Sequence, residues 1–302
     1  VGTRCQFTET GLCDLSSELV PALHEVLGDR PPNRWLLQAP APAPDLLDRV
    51  GRLLEAIDPR IAPGWDIYRQ RGLMALEDRS GKMSGGPCNV VHGEKQPFVH
   101  LPITGTWADV RGLVHEFGHA WQWSERVSWW TVQPMPMLEA IWPDDSACEL
   151  HGTGLELLAL PHLGLVFDDP EPVRRAWRLE LAERVAWGCA MQSWEAAVAG
   201  GAAPDGAWAS VRRRFLPWRA TGGLVFLERG GDWVAEADAF LSPGHGLDLA
   251  LAVGPSAAMS ADAWIRLCQR GGDLDLAELL DEAGAPQPFS DEAFVAVMAL
   301  LA

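Results

Sequence analysis

His115-Glu116-Phe117-Gly118-His119 constrains this chain more than any other stretch. Two imidazoles four residues apart share a face on a helix, where residues i and i+4 stand one above the other. On that face they can bind one cation together. Glu116, beside the first of them, can serve as a base toward a water held there. Such a helix needs an apolar back, which Val110, Leu113, Val114 and Phe117 supply. It also needs a start. Thr106, followed three residues later by Asp109, reads as a capping-box-like beginning right after Gly105. The pentapeptide alone also arises by chance, as two ordinary surface histidines on an amphipathic helix, so its surroundings decide.

Immediately upstream, Cys88-Asn89-Val90-Val91-His92 and Pro97-Phe98-Val99-His100-Leu101-Pro102-Ile103 are β-like runs, with Gly93-Glu94-Lys95-Gln96 between them. The pattern predicts an antiparallel hairpin. A hairpin edge beside a metal-binding helix can hold an extended substrate by strand addition. His92 and His100 fall on these runs and are expected as exposed strand residues. A proline-rich loop lies over residues 31–44, and Gly81-Lys82-Met83-Ser84-Gly85-Gly86 is a turn-rich break.

Elsewhere helical spacing dominates. Helices are predicted over 14–27, 45–57, 147–160, 171–199, 208–215, 247–253, 261–270, 274–282 and 291–301, with Ser260 and Ser290 as N-caps. There is no internal repeat and no strong boundary. The expectation is therefore a single domain over 1–302, with 1–75 a helical lead-in and 76–302 the core. The fold class is mainly α with a small antiparallel β-sheet.

The charge balance, 24 basic against 41 acidic residues for a net −17, repels nucleic acid and anionic membranes. No apolar run approaches the roughly 18 residues that span a bilayer. The first residues, Val1 to Cys5, show no signal pattern, and a cytoplasmic protein is expected. They also lack a Met, as a trimmed chain would. The six cysteines are dispersed without a CxxC pair, which argues against a thiolate metal cage and for buried free thiols. Cys5 and Cys13 could bridge, but nothing forces it. The chain holds 15 tryptophans and one tyrosine, Tyr68. Trp121, Trp123, Trp129 and Trp130 are expected as aromatic core rather than as cleft wall.

A zinc ion held by three protein groups keeps an open position and lowers the pKa of its water to roughly 7. A third ligand is thus required. Glu139 follows His119 by 20 residues and begins Glu139-Ala140-Ile141; Glu149 follows it by 30, within Ala147-Cys148-Glu149-Leu150-His151-Gly152. Spacing leaves both open.

Several separate blocks carry a resemblance. Arg79–Cys88, Pro97-Phe98-Val99, Gly105-Thr106 with Asp109-Val110, and His115–His119-Ala120-Trp121-Gln122 resemble the catalytic core of oligoendopeptidase F-type, M3 family zinc metallopeptidases. Pro143–His151 resembles the family's segment bearing the third zinc ligand, a Glu followed by an apolar residue and His. Trp264–Gly272 is similar to a late family segment. The resemblance implies a zincin-like core over about 75–290 and one Zn²⁺ on His115, His119 and Glu149, in preference to Glu139. It also implies a zinc-bound water activated by Glu116, and short peptides or small amides as substrates. His151 would then support a ligand from behind.

The chain also departs from that family. Only some 75 residues precede the core, which leaves the substrate groove either more open or covered by a partner or an oligomer. The family's late His falls on Asp238, and two expected tyrosines fall on Gly246 and Leu249. With no late tyrosine, His245 on its Gly-flanked turn is the candidate replacement donor. Loss of an oxyanion donor costs about 10²–10³ in kcat. Three functions follow: a zinc-dependent peptide hydrolase, an M3-like metalloenzyme for one dedicated small-molecule or biosynthetic intermediate, and a non-catalytic zinc-binding module.

Overall fold

A computed structural model describes residues 19–25, 45–77, 88–91, 96–129, 145–217, 226–229, 232–235, 243–270, 274, 276–288 and 290–301. In chain order its helices are α1 (19–25), α2 (Leu46–Ile57), α3 (Ala62–Gln70), α4 (Trp107–Trp129), α5 (Asp145–Ala159), α6 (Pro170–Ala199), α7 (Pro204–Phe215), α8 (Pro243–Ala257), α9 (Ala261–Arg270), α10 (Leu276–Ala283) and α11 (Asp291–Ala299). Its strands are β1 (Met74–Ala75), β2 (Cys88–Val91), β3 (Gln96–His100), β4 (Phe226–Arg229) and β5 (Asp232–Ala235). The fold is thus mainly α with very little sheet. The chain divides into two compact units, Arg34–Ala176 with Met259–Ala285, and Val1–Asn33 with Trp177–Ala258 and Pro286–Ala302.

The first unit carries the pentapeptide. Helix α2, predicted over 45–57, buries Leu46, Val50, Leu53 and Leu54 as an apolar stripe at helical spacing. Helix α3 escaped the sequence reading because it is short and buries only Trp65 and Tyr68, although Pro63 in its first turn suits a helix start. The Trp65 indole N–H donates to the Leu47 carbonyl at 3.0 Å and ties α3 to α2. Strands β2 and β3 form the expected antiparallel hairpin, with Cys88 opposite Val99 and Val91 opposite Gln96. The two-residue β1 adds in parallel on the far side of β3, so the sheet order is β1-β3-β2, with β2 at an edge among the described residues. The parallel contact runs past the strand itself, through Leu101 N–H to Ala75 (3.1 Å) and Ile103 N–H to Leu76 (2.9 Å). A two-residue strand carries too little alternation to be read in advance.

The link from β3 to α4 is a tight turn closed by Asp109. Its carboxylate accepts the backbone N–H groups of Thr104, Gly105 and Thr106 at 3.0, 2.7 and 2.8 Å. It also accepts the Thr104 hydroxyl at 3.0 Å. Gly105 has φ +80°, where a side chain would be strained. An acid so placed satisfies orphan N–H groups and favours the positive end of the helix. Helix α9 has Ser260 as its cap, accepting from Ala263 N–H at 3.2 Å.

In the second unit the Trp194 indole donates to the Pro204 carbonyl at 3.0 Å, joining α6 to α7. Trp187 and Trp208 meet edge to face at 5.6 Å. Helices α8 and α11 pack so closely that a Cβ on Gly254 would lie 3.0 Å from the Ala293 Cβ. Ser290 caps α11, as read from sequence. The β4–β5 hairpin was not foreseen.

Candidate metal centre

Helix α4 packs against α5, and two glycines set how closely. A Cβ on Gly118 would lie 2.5 Å from the His151 carbonyl oxygen. A Cβ on Gly152 would lie 2.6 Å from Nδ1 and Cε1 of the His115 ring. Neither approach is possible with a side chain. Glycine within a helix costs about 0.5–1 kcal/mol, and here it admits one backbone against another and an imidazole against a backbone. Phe117, one residue before Gly118, points the other way. It is buried between Trp65 and Tyr68, meeting both edge to face at 5.1 and 5.6 Å.

This crossing brings three donor atoms together. His115 Nε2 lies 3.1 Å from His119 Nε2 and 3.5 Å from Glu149 Oε2. All three atoms lie within 4.8 Å of one another, and His119 and Glu149 are buried. The two rings stand nearly perpendicular, at 86°. Two imidazole nitrogens and one carboxylate, converging with no fourth protein ligand among the described residues, fit a zinc-like ion with an open position. Glu139 lies outside the described residues.

Behind the donors stands a carboxylate that sequence reading missed. Glu156 is fully buried, and its Oε1 lies 2.7 Å from His115 Nδ1. Accepting a hydrogen bond from the Nδ1 N–H, it fixes the ring and leaves Nε2 to face His119 and Glu149. The signal was present: Glu149 and Glu156 are two helical turns apart. His119 Nδ1 faces the Cys148 sulfur at 3.6 Å instead. His151, expected behind a ligand, is fully buried, with a ring nitrogen within 4.8 Å of the donor atoms of His119 and Cys148. Its carbonyl accepts the Trp264 indole N–H at 2.9 Å, and Trp264 stacks on Trp121 at 5.0 Å.

Glu116 lies close to His115, Glu149 and Glu156 and keeps partial exposure. Removal of its carboxyl from water, helped by the nearby negative charge of Glu149, pushes its pKa up to about 7. His115 and a backbone hydrogen bond from Cys88 pull the other way. That bond ties Glu116 to β2, the edge strand. Burial disfavours the charged form of His115, but the Glu156 bond and the charges of Glu156, Glu149 and Glu116 outweigh it and hold its pKa above the ordinary value.

The other expected residues scatter. Trp121 and Trp123 are buried core, as expected. Cys88, Cys148, Cys189 and Cys268 are buried thiols, while Cys5 and Cys13 lie outside the described residues. His100 ends β3 half-buried. His92, Trp130 and the side chains of Trp129 and His245 also lie outside them, although His245 belongs to the first turn of α8. Tyr68 is structural: its hydroxyl meets the Ala120 carbonyl and Ser124 Oγ, each at 3.0 Å. Among the described residues no helix is long and apolar enough to cross a membrane.

No protein-family model matches the sequence, and neither does any curated protein. Solved structures do match. A protein designated oligoendopeptidase F from Bacillus anthracis str. Ames aligns over 98% of this chain with TM-score 0.75 and 19% identity. The inhibitor complex of PZ peptidase A aligns over 99% with TM-score 0.78 and 22% identity. A second protein designated oligoendopeptidase F aligns over 99%, also at TM-score 0.78, with 23% identity. The fold is that of the oligoendopeptidase F-type, M3 peptidases. This chain spans 56%, 58% and 59% of the lengths of the B. anthracis protein, the second oligoendopeptidase F and PZ peptidase A. The M3-type fold accounts for the mainly helical architecture and for the small sheet beside the motif helix.

Proposed function

We propose that this chain is a zinc-dependent hydrolase that cleaves amide bonds in short peptides, with His115, His119 and Glu149 as the metal ligands and Glu116 as the acid–base residue. The convergence of those three donor atoms beside the Glu116 carboxyl is the observation that carries the reading. Zinc, when bound, supplies a Lewis acid that polarises the amide carbonyl and makes water a competent nucleophile near neutral pH. Glu116 takes the proton from the attacking water and returns it to the departing amine nitrogen. A carboxyl with pKa about 7 is matched to that two-way task. Glu156 holds His115 in one tautomer throughout. Strand β2, at the edge of the sheet among the described residues and tied to Glu116 through Cys88, offers backbone groups to an extended peptide.

Zinc-loaded protein is expected to cut members of a broad library of short peptides. Glu116→Gln should lower kcat by about 10²–10⁴-fold with zinc content unchanged. An uncut library, with Glu116→Gln indistinguishable from the parent, overturns the reading.

One observation favours a second reading, an M3-like metalloenzyme devoted to a single small molecule. The only tyrosine is locked into the core by its hydroxyl, so no phenol is free to steady an oxyanion. His245 is the proposed substitute donor. Glu116-dependent turnover of one small amide, with generic peptides intact, would select this reading.

A further inference from the structure

We infer that Cys148 is the positioning residue of His119, with its sulfur as the hydrogen-bond partner of Nδ1 that leaves Nε2 to face the metal. The inference rests on the proposed metal centre. The two motif histidines need the same service, and the structure provides it in two different ways. His115 Nδ1 has a carboxylate at 2.7 Å, and His119 Nδ1 has the Cys148 sulfur at 3.6 Å, within reach of a hydrogen bond to sulfur. Both members of the second pair are buried, with 6% of each residue exposed. With Nε2 turned to a metal, the imidazole proton would sit on Nδ1 and call for a hydrogen-bond acceptor. The Cys148 sulfur stands where that hydrogen bond would be accepted.

The arrangement follows from one face of α5. Cys148, Gly152 and Glu156 recur every four residues, and Glu149 is the immediate neighbour of Cys148. The short thiol meets His119, the missing side chain makes room for the His115 ring, and the long carboxylate reaches His115 Nδ1. A single turn of helix thus presents both a metal ligand and the support for another ligand. Charge explains why the support is a thiol. Glu116, Glu149 and Glu156 already gather around His115. A further carboxylate at position 148 would add repulsion, whereas neutral sulfur accepts a hydrogen bond and brings no charge.

Three substitutions separate positioning from mere packing. Cys148→Val keeps an apolar volume but has no acceptor; Cys148→Ala has neither; Cys148→Ser keeps an acceptor at nearly the same place. The readouts are the zinc dissociation constant, by competition with a chromogenic chelator, and the visible spectrum of the Co²⁺-substituted protein. Loss of such a supporting partner weakens metal binding about 10–100-fold. The expected result is that loss in both Cys148→Ala and Cys148→Val with an altered Co²⁺ spectrum, and recovery of both readouts in Cys148→Ser. Recovery by Val rather than Ser, or parental affinity in all three, overturns the inference. Melting of the metal-free variants verifies folding, and the Ala/Ser pair decides alone if Val misfolds. The metal centre itself is judged separately, by whether the parent binds zinc and His115→Ala and His119→Ala do not.

Discussion

The two faces of α4 do different work from adjacent residues. On one face Phe117 is packed by Trp65 and Tyr68, with Trp121 one turn on stacked against Trp264. On the other, His115, Gly118 and His119 meet α5 through short polar contacts and close backbone approach. The aromatic face holds the helix by buried volume, which tolerates small shifts of its partners. The polar face holds atoms at hydrogen-bond distance, where a single added methyl group collides with a ring or a carbonyl. The middle residues of the pentapeptide divide the tasks: Phe117 anchors, and Gly118 admits.

Breaking the aromatic face should produce the largest change. Phe117→Ala is expected to cost about 3–5 kcal/mol of stability, measured by urea unfolding of the metal-free protein. A loss below 1 kcal/mol would mean that the ring cluster does not anchor the helix. Breaking the polar face should leave the fold and weaken the metal. Glu156→Gln is expected to reduce zinc affinity about 10–100-fold while metal-free melting shows an intact, cooperative fold. Unchanged affinity would remove Glu156 from the supporting role.

The smallest effect sharpens the comparison by pH. The Glu116 carboxyl has its pKa raised from 4.5 to about 7 in the folded chain, so the folded state keeps a proton that the unfolded chain releases. Stability from this group is therefore lost as pH rises from about 4.5 to about 7, and the loss is constant above that window. Glu116→Gln removes the loss. The melting temperature of metal-free Glu116→Gln should match the parent near pH 4.5 and exceed it progressively toward pH 7. The partial exposure of Glu116 keeps the difference modest. A gap independent of pH would show that the carboxyl is not desolvated.

Much of the fold was legible. Helix α9 spans the predicted residues, Ser260 and Ser290 cap as read, and the hairpin lies where the two β-like runs placed it. These rest on local signals, namely period, capping and turn chemistry. Helix α3 and strand β1 were not legible, because each is too short to establish a period and is held by partners distant in sequence. Glu156 escaped for a related reason. Its spacing from Glu149 was visible, but a buried carboxylate is meaningful only once a histidine is known to face it.

By itself the sequence determined that a helix would carry two imidazoles and a carboxylate on one stretch, with an apolar back and an acid at its start. Those are consequences of helical period and of unsatisfied N–H groups, and they need no partner. Tertiary structure alone decided which side chains complete the group. The meeting of Glu149, Glu156 and Cys148 with the two histidines depends on α4 and α5 crossing at Gly118 and Gly152, and no local signal encodes the distance between two helices.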